Sequence, residues 1–172
     1  MELKGRRVVK LAENMFNDLE FWYPFFRLKE AGADVIVAGS GSSGKYTGKS
    51  GTETTVDTKA GDLKAGDFDG VVIPGGYAPD IMRRYPEMVN LVRDMYNESK
   101  VVAAICHAGW MLASAEIVGG RTLTSFFAIK DDLIHAGAKW VDKEVVVDGN
   151  LITSRKPDDL PAFMRAIMDA LK

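Results

Sequence analysis

The sequence is poor in the residues from which several kinds of site are built. It holds one cysteine and two histidines in 172 residues. A single cysteine excludes an intrachain disulfide and a cysteine-rich zinc site within one chain, and His107 and His135 lie too far apart to form a zinc motif. No metal site and no cofactor are expected. No apolar run approaches the length of a membrane span, and there is no basic stripe interleaved with aromatics. The net charge of -2 gives no global attraction to a phosphate backbone, so neither a membrane nor a nucleic acid is expected as a partner. Residues 1–11 lack the apolar stretch and small-residue cleavage site of a secretory signal, which points to the cytoplasm. A phosphate-binding glycine loop is missing too. Gly39-Ser40-Gly41 follows a strand pattern, but no helix opens after it, and Gly44 is followed by Lys45-Tyr46 instead of Lys-Ser/Thr.

The composition that remains, 47% hydrophobic and 27% charged, suits one globular domain over residues 1–172. Short β-branched runs alternate with helical patterns, which predicts an α/β fold with a mostly parallel sheet. Val8 to Leu11, Val35 to Ala38, Val71 to Ile73 and Val101 to Ile105 are continuous apolar runs of the kind buried on both faces. Glu144 to Asp148 and Leu151 to Thr153 flank Gly149-Asn150 and predict a hairpin. The glycine- and serine-rich segment 39–51 reads as a turn leading into a second, extended hairpin. Met88, Leu91, Val92, Met95 and Tyr96 make one helical stripe. Leu160, Phe163, Met164, Ile167, Met168 and Leu171 make another, starting near Pro157 with Asp158 and Asp159 at its positive end. In the first helix, closed by Gly32, Leu19, Trp22, Tyr23 and Phe26 form one stripe while Phe21, Phe25 and Leu28 form a second. The surplus apolar face serves either a subunit contact or a covering loop.

Ligands of open parallel sheets gather beyond the carboxyl ends of the strands. Three such ends carry reactive or flexible residues: 12–20, Pro74-Gly75-Gly76-Tyr77-Ala78-Pro79-Asp80, and Cys106-His107-Ala108-Gly109. The run from Val101 to Gly109 reads as strand, abrupt turn and helix, with small residues at Ala104 and Ala108 where a nucleophile elbow has no room for bulk. At that turn the next helix N-terminus should lower the Cys106 pKa; the alternative is a buried cysteine acting as a small hydrophobe. Gly75 and Gly76 allow close backbone approach, and with the N–H of His107 they could form an oxyanion site. Glu20 is a candidate carboxyl neighbour of the thiol, sharing one proton with it, or else a solvated helix carboxylate. His107 can act as a base only if the turn brings its ring back to the sulfur. His135, before Gly137, reads as a complement to a helix C-terminus.

Ile73-Pro74-Gly75-Gly76 with Ala78-Pro79-Asp80, Ile105-Cys106-His107, the block from Ile129 through Trp140-Val141-Asp142 and Glu144 to Asn150, and Ser154-Arg155 to Leu160 together resemble the PfpI intracellular protease family, over about Val9 to Leu171. The family sits in the superfamily of the parkinsonism-associated deglycase. This resemblance implies a flavodoxin-like, doubly wound sandwich and Cys106 as nucleophile beside His107. It implies Glu20 as the carboxyl partner of the cysteine. It also implies a homo-oligomer with the site near a subunit interface, where an acidic residue at the position of Asp80 orients the histidine of a neighbouring copy. PfpI proteins usually carry Glu there, one methylene longer. Phe126 stands where close relatives carry Tyr near the cysteine, and Ala108-Gly109-Trp110 replaces the usual Gly-Pro-Gln.

Three functions follow. The first expectation is a cysteine peptidase or amidase, with Cys106 attacking a carbonyl, Gly75, Gly76 and His107 holding the oxyanion and His107 moving the proton. The alternative is a cofactor-independent glyoxalase or deglycase that acts on methylglyoxal or its protein adducts with help from Glu20. The third is a redox-sensing stress protein or holdase in which Cys106 is oxidised.

Overall fold

The structure, a computed structural model, describes residues 1–172. Eleven strands and six helices follow one another along the chain. They run β1 (Arg7–Leu11), α1 (Asp18–Glu30), β2 (Asp34–Gly39), β3 (Lys45–Thr47), β4 (Glu53–Thr55), β5 (Thr58–Lys59), β6 (Gly70–Ile73), α2 (Ala78–Met82), α3 (Pro86–Asn97), β7 (Val101–Ile105), α4 (Gly109–Ser114), β8 (Thr122–Leu123), α5 (Lys130–His135), β9 (Lys139–Trp140), β10 (Val145–Asp148), β11 (Leu151–Ser154) and α6 (Leu160–Leu171). Seven strands form the central sheet in the order β10-β11-β7-β6-β1-β2-β5. All neighbours pair in parallel except β10 with β11, which form the hairpin expected around Gly149-Asn150. The expected α/β, doubly wound and mostly parallel architecture is therefore present.

Both faces of this sheet are covered, which is why its inner strands read as apolar runs, interrupted in β1 by Lys10. On one face Val9, Leu11, Val71, Ile73, Val102 and Ala104 pack with Met88, Leu91, Val92 and Met95 of α3. On the other, Val8, Val72, Ala103 and Ile105 pack with Leu28 of α1 and with Phe163, Ile167 and Leu171 of α6. The stripes read from α3 and α6 are thus the core faces of those helices. Segment 39–51 does lead into a hairpin, β3 with β4.

Helix α1 splits its aromatic residues between core and surface. Phe21, Pro24 and Leu28 are buried, while Leu19, Tyr23 and Phe26 of the other stripe are exposed, and of that stripe only Trp22 meets a loop, donating from its Nε1 to Thr52 Oγ1. Asn17 caps the helix by accepting hydrogen bonds from the N–H groups of Leu19 and Glu20. That cap fixes Glu20 in the first turn, where side chains lean back toward the helix N-terminus and hence toward the carboxyl ends of β1 and β6.

Candidate active site

Strand β7 delivers Cys106 at its end with φ of 62°, a left-handed conformation for a residue that has a side chain. A 3-10 turn over Cys106–Ala108 follows, and then the six-residue α4. This is the sharp strand-to-helix turn read from the sequence. The turn brings the His107 ring back, with Nδ1 3.2 Å from Cys106 Sγ. His107 is held on two sides: the Phe126 ring stacks on it at 5.1 Å between centroids and the Trp110 ring meets it edge-on at 5.2 Å.

Glu20 is fully buried, not a solvated helix carboxylate. Its Oε2 accepts a hydrogen bond of 2.8 Å from the Gly75 N–H, and the carboxyl group also interacts with the Cys106 thiol. Its Oε1 is buried without a hydrogen-bond partner. Gly75 is wedged between these two side chains. A Cβ there would stand 2.5 Å from Glu20 Oε2 and 2.7 Å from the Cys106 Cβ, so only glycine lets the carboxyl group and the sulfur share this space. The Gly75 N–H is consequently committed to Glu20, which corrects its expected place in an oxyanion site. The backbone N–H groups of Gly76 and His107 are the ones that favour the ionised sulfur.

The electrostatics differ from the expectation of a lowered thiol pKa. Burial pushes the Cys106 thiol up to about 12, and the neighbouring Glu20 charge adds to the rise, against the opposing N–H groups of His107 and Gly76. The helix that follows the turn is too short for its dipole to outweigh burial. Burial also raises Glu20, to about 7, against the Gly75 N–H, Lys10 and the thiol. His107 is lowered by burial and by the Lys49 charge, which keeps its imidazole neutral at neutral pH. The sulfur thus begins as a thiol flanked by two bases, a carboxyl group that ionises near neutrality and a neutral imidazole.

Cys106 is 8% exposed, and that exposure opens into a cleft of about 530 Å³. Met15, Tyr77, Trp110 and Phe126 supply its apolar wall, and Lys49 and Lys156 its charge. Phe126 thus lines the same cleft as Cys106 and His107. Asp80 does not line the cleft; it sits in the first turn of α2, and its carboxylate pairs with Arg84. No group of three or more His, Cys, Asp or Glu side chains is placed to hold a metal ion, and no helix is long and apolar enough to cross a membrane.

Sequence reasoning missed three contributors. Lys10 in β1 is fully buried, and its Nζ donates to the backbone carbonyl of Glu20 at 2.9 Å; the one available signal was a lysine inside an apolar strand. Asp18 accepts hydrogen bonds from the N–H groups of Ser50 and Thr52, fixing the loop that carries Lys49. Met15, with φ of 66°, takes its place in the cleft from a loop without periodicity.

Residues 6–170 match the model of the DJ-1/PfpI family. A protein of Archaeoglobus fulgidus is 49% identical over 166 residues, which span 96% of this chain and 98% of that protein. Deglycase PfpI of Pyrococcus furiosus is 44% identical over 166 residues, or 96% of this chain and 99% of its own length. Among solved structures, a two-domain protein of Anabaena variabilis with DJ-1/ThiJ/PfpI-like and ferritin-like domains superposes with a TM-score of 0.95 at 44% identity. That match covers 96% of this chain, which spans about half of the two-domain protein, 48%.

Proposed function

The chain belongs to the DJ-1/PfpI family, and on that premise we propose that it is a cofactor-independent glyoxalase or deglycase acting on methylglyoxal or its protein adducts. The relative named a deglycase, 44% identical along nearly its whole length, favours this reading over the peptidase expected first. The observation that carries it is the buried Glu20 carboxyl group beside the Cys106 thiol, with neutral His107 on the sulfur's other side. Isomerising a 2-oxoaldehyde needs one nucleophile and two proton acceptors and no redox partner.

In this mechanism the thiol adds to the aldehyde carbon of methylglyoxal, forming a C–S bond as its proton passes to the Glu20 carboxylate. Glu20 then passes this proton on to the aldehyde oxygen, which lies against the N–H groups of Gly76 and His107, giving a hemithioacetal. His107 is half-buried and lines the cleft, whereas Glu20 is sealed. The imidazole therefore removes the proton from the former aldehyde carbon and returns it to the neighbouring carbonyl carbon, while the hemithioacetal hydroxyl proton moves to the oxygen of that carbonyl. The product is a lactoyl thioester, and water cleaves its C–S bond to release lactate and regenerate the thiol. The sum is methylglyoxal plus water to lactate.

The chain acts as a homo-oligomer with this cleft near a subunit interface, a reading supported by the exposed Leu19, Tyr23 and Phe26 of α1. Lactate release from methylglyoxal and cleavage of a peptide amide, measured side by side in wild type and Cys106→Ala, test the assignment. Lactate formation by wild type alone is expected. Peptide cleavage lost in Cys106→Ala, with no lactate formed by either protein, would return the chain to the peptidase reading.

A further inference from the structure

A lysine inside a parallel sheet demands a physical reason, because burial of an ammonium group is costly without a partner. Lys10 has no solvent exposure. Its register neighbours are Val37 on β2 and Val72 on β6. By alternation along β1 it points, with Val8, to the sheet face where Leu28, Phe163, Ile167 and Cys106 cluster. Its Nζ has two observed partners, the Glu20 carbonyl at 2.9 Å and the Phe21 ring, 5.3 Å to its centroid.

The carbonyl is available because of Pro24. Within α1 the residue four positions after Glu20 should donate its N–H to the Glu20 carbonyl, and Pro24 has none to give. The ammonium takes over that hydrogen bond and so brings a cation to the residue whose carboxyl group faces the thiol. Glu20 is the charged group that acts on Lys10, and around Glu20 the ionisable neighbours are Lys10, Cys106 and Lys49.

We propose that Lys10 is a positioning residue whose charge tunes the proton shared by Glu20 and Cys106, and that its hydrogen bond to the Pro24-vacated carbonyl is the anchor that holds this charge in place. The proposal rests on the reading of Cys106 and Glu20 as nucleophile and base. Burial brings the Lys10 ammonium down to about 7, so its charge is present on the acid side of neutrality, where the first proton leaves the pair. A positive charge there favours the singly ionised pair and moves that loss to lower pH.

The test is the pH dependence of Cys106 alkylation by iodoacetamide, which reads the thiol without any substrate. Lys10→Met is nearly isosteric and removes a buried charge. The acid limb of its profile is expected to move up by about one pH unit relative to wild type. Lys10→Gln, which keeps a donor but not the charge, is expected to move it the same way and serves if the methionine variant does not fold. Pro24→Ala restores a helical donor to the Glu20 carbonyl, so the shift should persist in Lys10→Met/Pro24→Ala. It should vanish when Lys10→Met is made in Glu20→Gln. Profiles that superpose on wild type, a shift abolished by Pro24→Ala, or a shift undiminished in Glu20→Gln would each overturn the proposal. A wild type that makes no lactate, with the alkylation shift still seen in Lys10→Met, would sink the glyoxalase reading and leave the role of Lys10 standing.

Discussion

Cys106 Sγ lies 3.2 Å from the Nδ1 atom of the residue that follows it, His107. Adjacent side chains rarely meet in this way, since in a strand they point to opposite faces. The contact exists because the backbone turns through a left-handed Cys106 directly after β7, and because Phe126 and Trp110 hold the imidazole in the returned position.

Loosening that grip should slow chemistry more than it weakens binding. Phe126→Leu keeps an apolar wall but removes the stacked ring, and kcat for lactate formation is expected to fall on the order of 10- to 100-fold with KM little changed. An equal rise in KM with kcat preserved would make Phe126 a contributor to substrate affinity only.

Gly75 offers a sharper test of geometry. Gly75→Ala puts a methyl group into the 2.5 Å and 2.7 Å gaps to Glu20 Oε2 and the Cys106 Cβ. Overpacking should destabilise the fold by about 1–3 kcal/mol and separate the carboxyl group from the sulfur. Denaturant unfolding and the iodoacetamide rate, measured together, should both change; an unaltered alkylation profile would show that the pair tolerates the displacement.

The buried charges shape stability as well as reactivity. Glu20 has a folded pKa of about 7 against 4.5 unfolded, so the folded chain holds more protons and stability falls as pH rises from 4.5 to 7. For this one group the loss is on the order of 3 kcal/mol. Lys10 is depressed from 10.5 to about 7. The unfolded chain then binds more protons over that interval, and stability recovers as pH rises from 7 to 10.5. Cys106, raised from 9.0 to about 12, cancels this recovery above pH 9 and turns it into a fall above pH 10.5. Unfolding curves across pH should show a trough near neutrality, with its alkaline recovery absent in Lys10→Met and its acid-side fall absent in Glu20→Gln.

Assembly can be checked by size in solution. An oligomer is expected, and Asp80→Asn should lower lactate formation without dissociating it, as required if this carboxylate leaves Arg84 to orient the imidazole of a neighbouring copy. A strict monomer with full activity would remove that role from Asp80.

Much of this architecture was legible because the parallel strands announce themselves as apolar runs, with Lys10 the one interruption inside β1, β2, β6 and β7. Val101–Ile105 carries the same boundaries in sequence and structure, and β1, β2 and β6 differ by a residue or so at their ends. The elbow at Cys106 was readable from the small residues around it. What the sequence could not reveal is long-range: that Glu20 is sealed, that the Gly75 N–H is spent on it, and that Pro24 leaves a carbonyl for Lys10 to fill. Each depends on the first turn of α1 meeting Lys10 of β1 and Gly75 after β6, and no local spacing encodes that approach. The direction of the thiol shift is illegible for a related reason, since a helix N-terminus can be read locally but the depth of burial cannot.

The left-handed backbone at Cys106 has a bearing on laboratory evolution. Any side chain there carries a conformational penalty of roughly 1–2 kcal/mol that glycine escapes. Libraries randomised at this codon and sorted for heat resistance alone should therefore drift toward glycine, and only a screen that demands turnover should keep the sulfur.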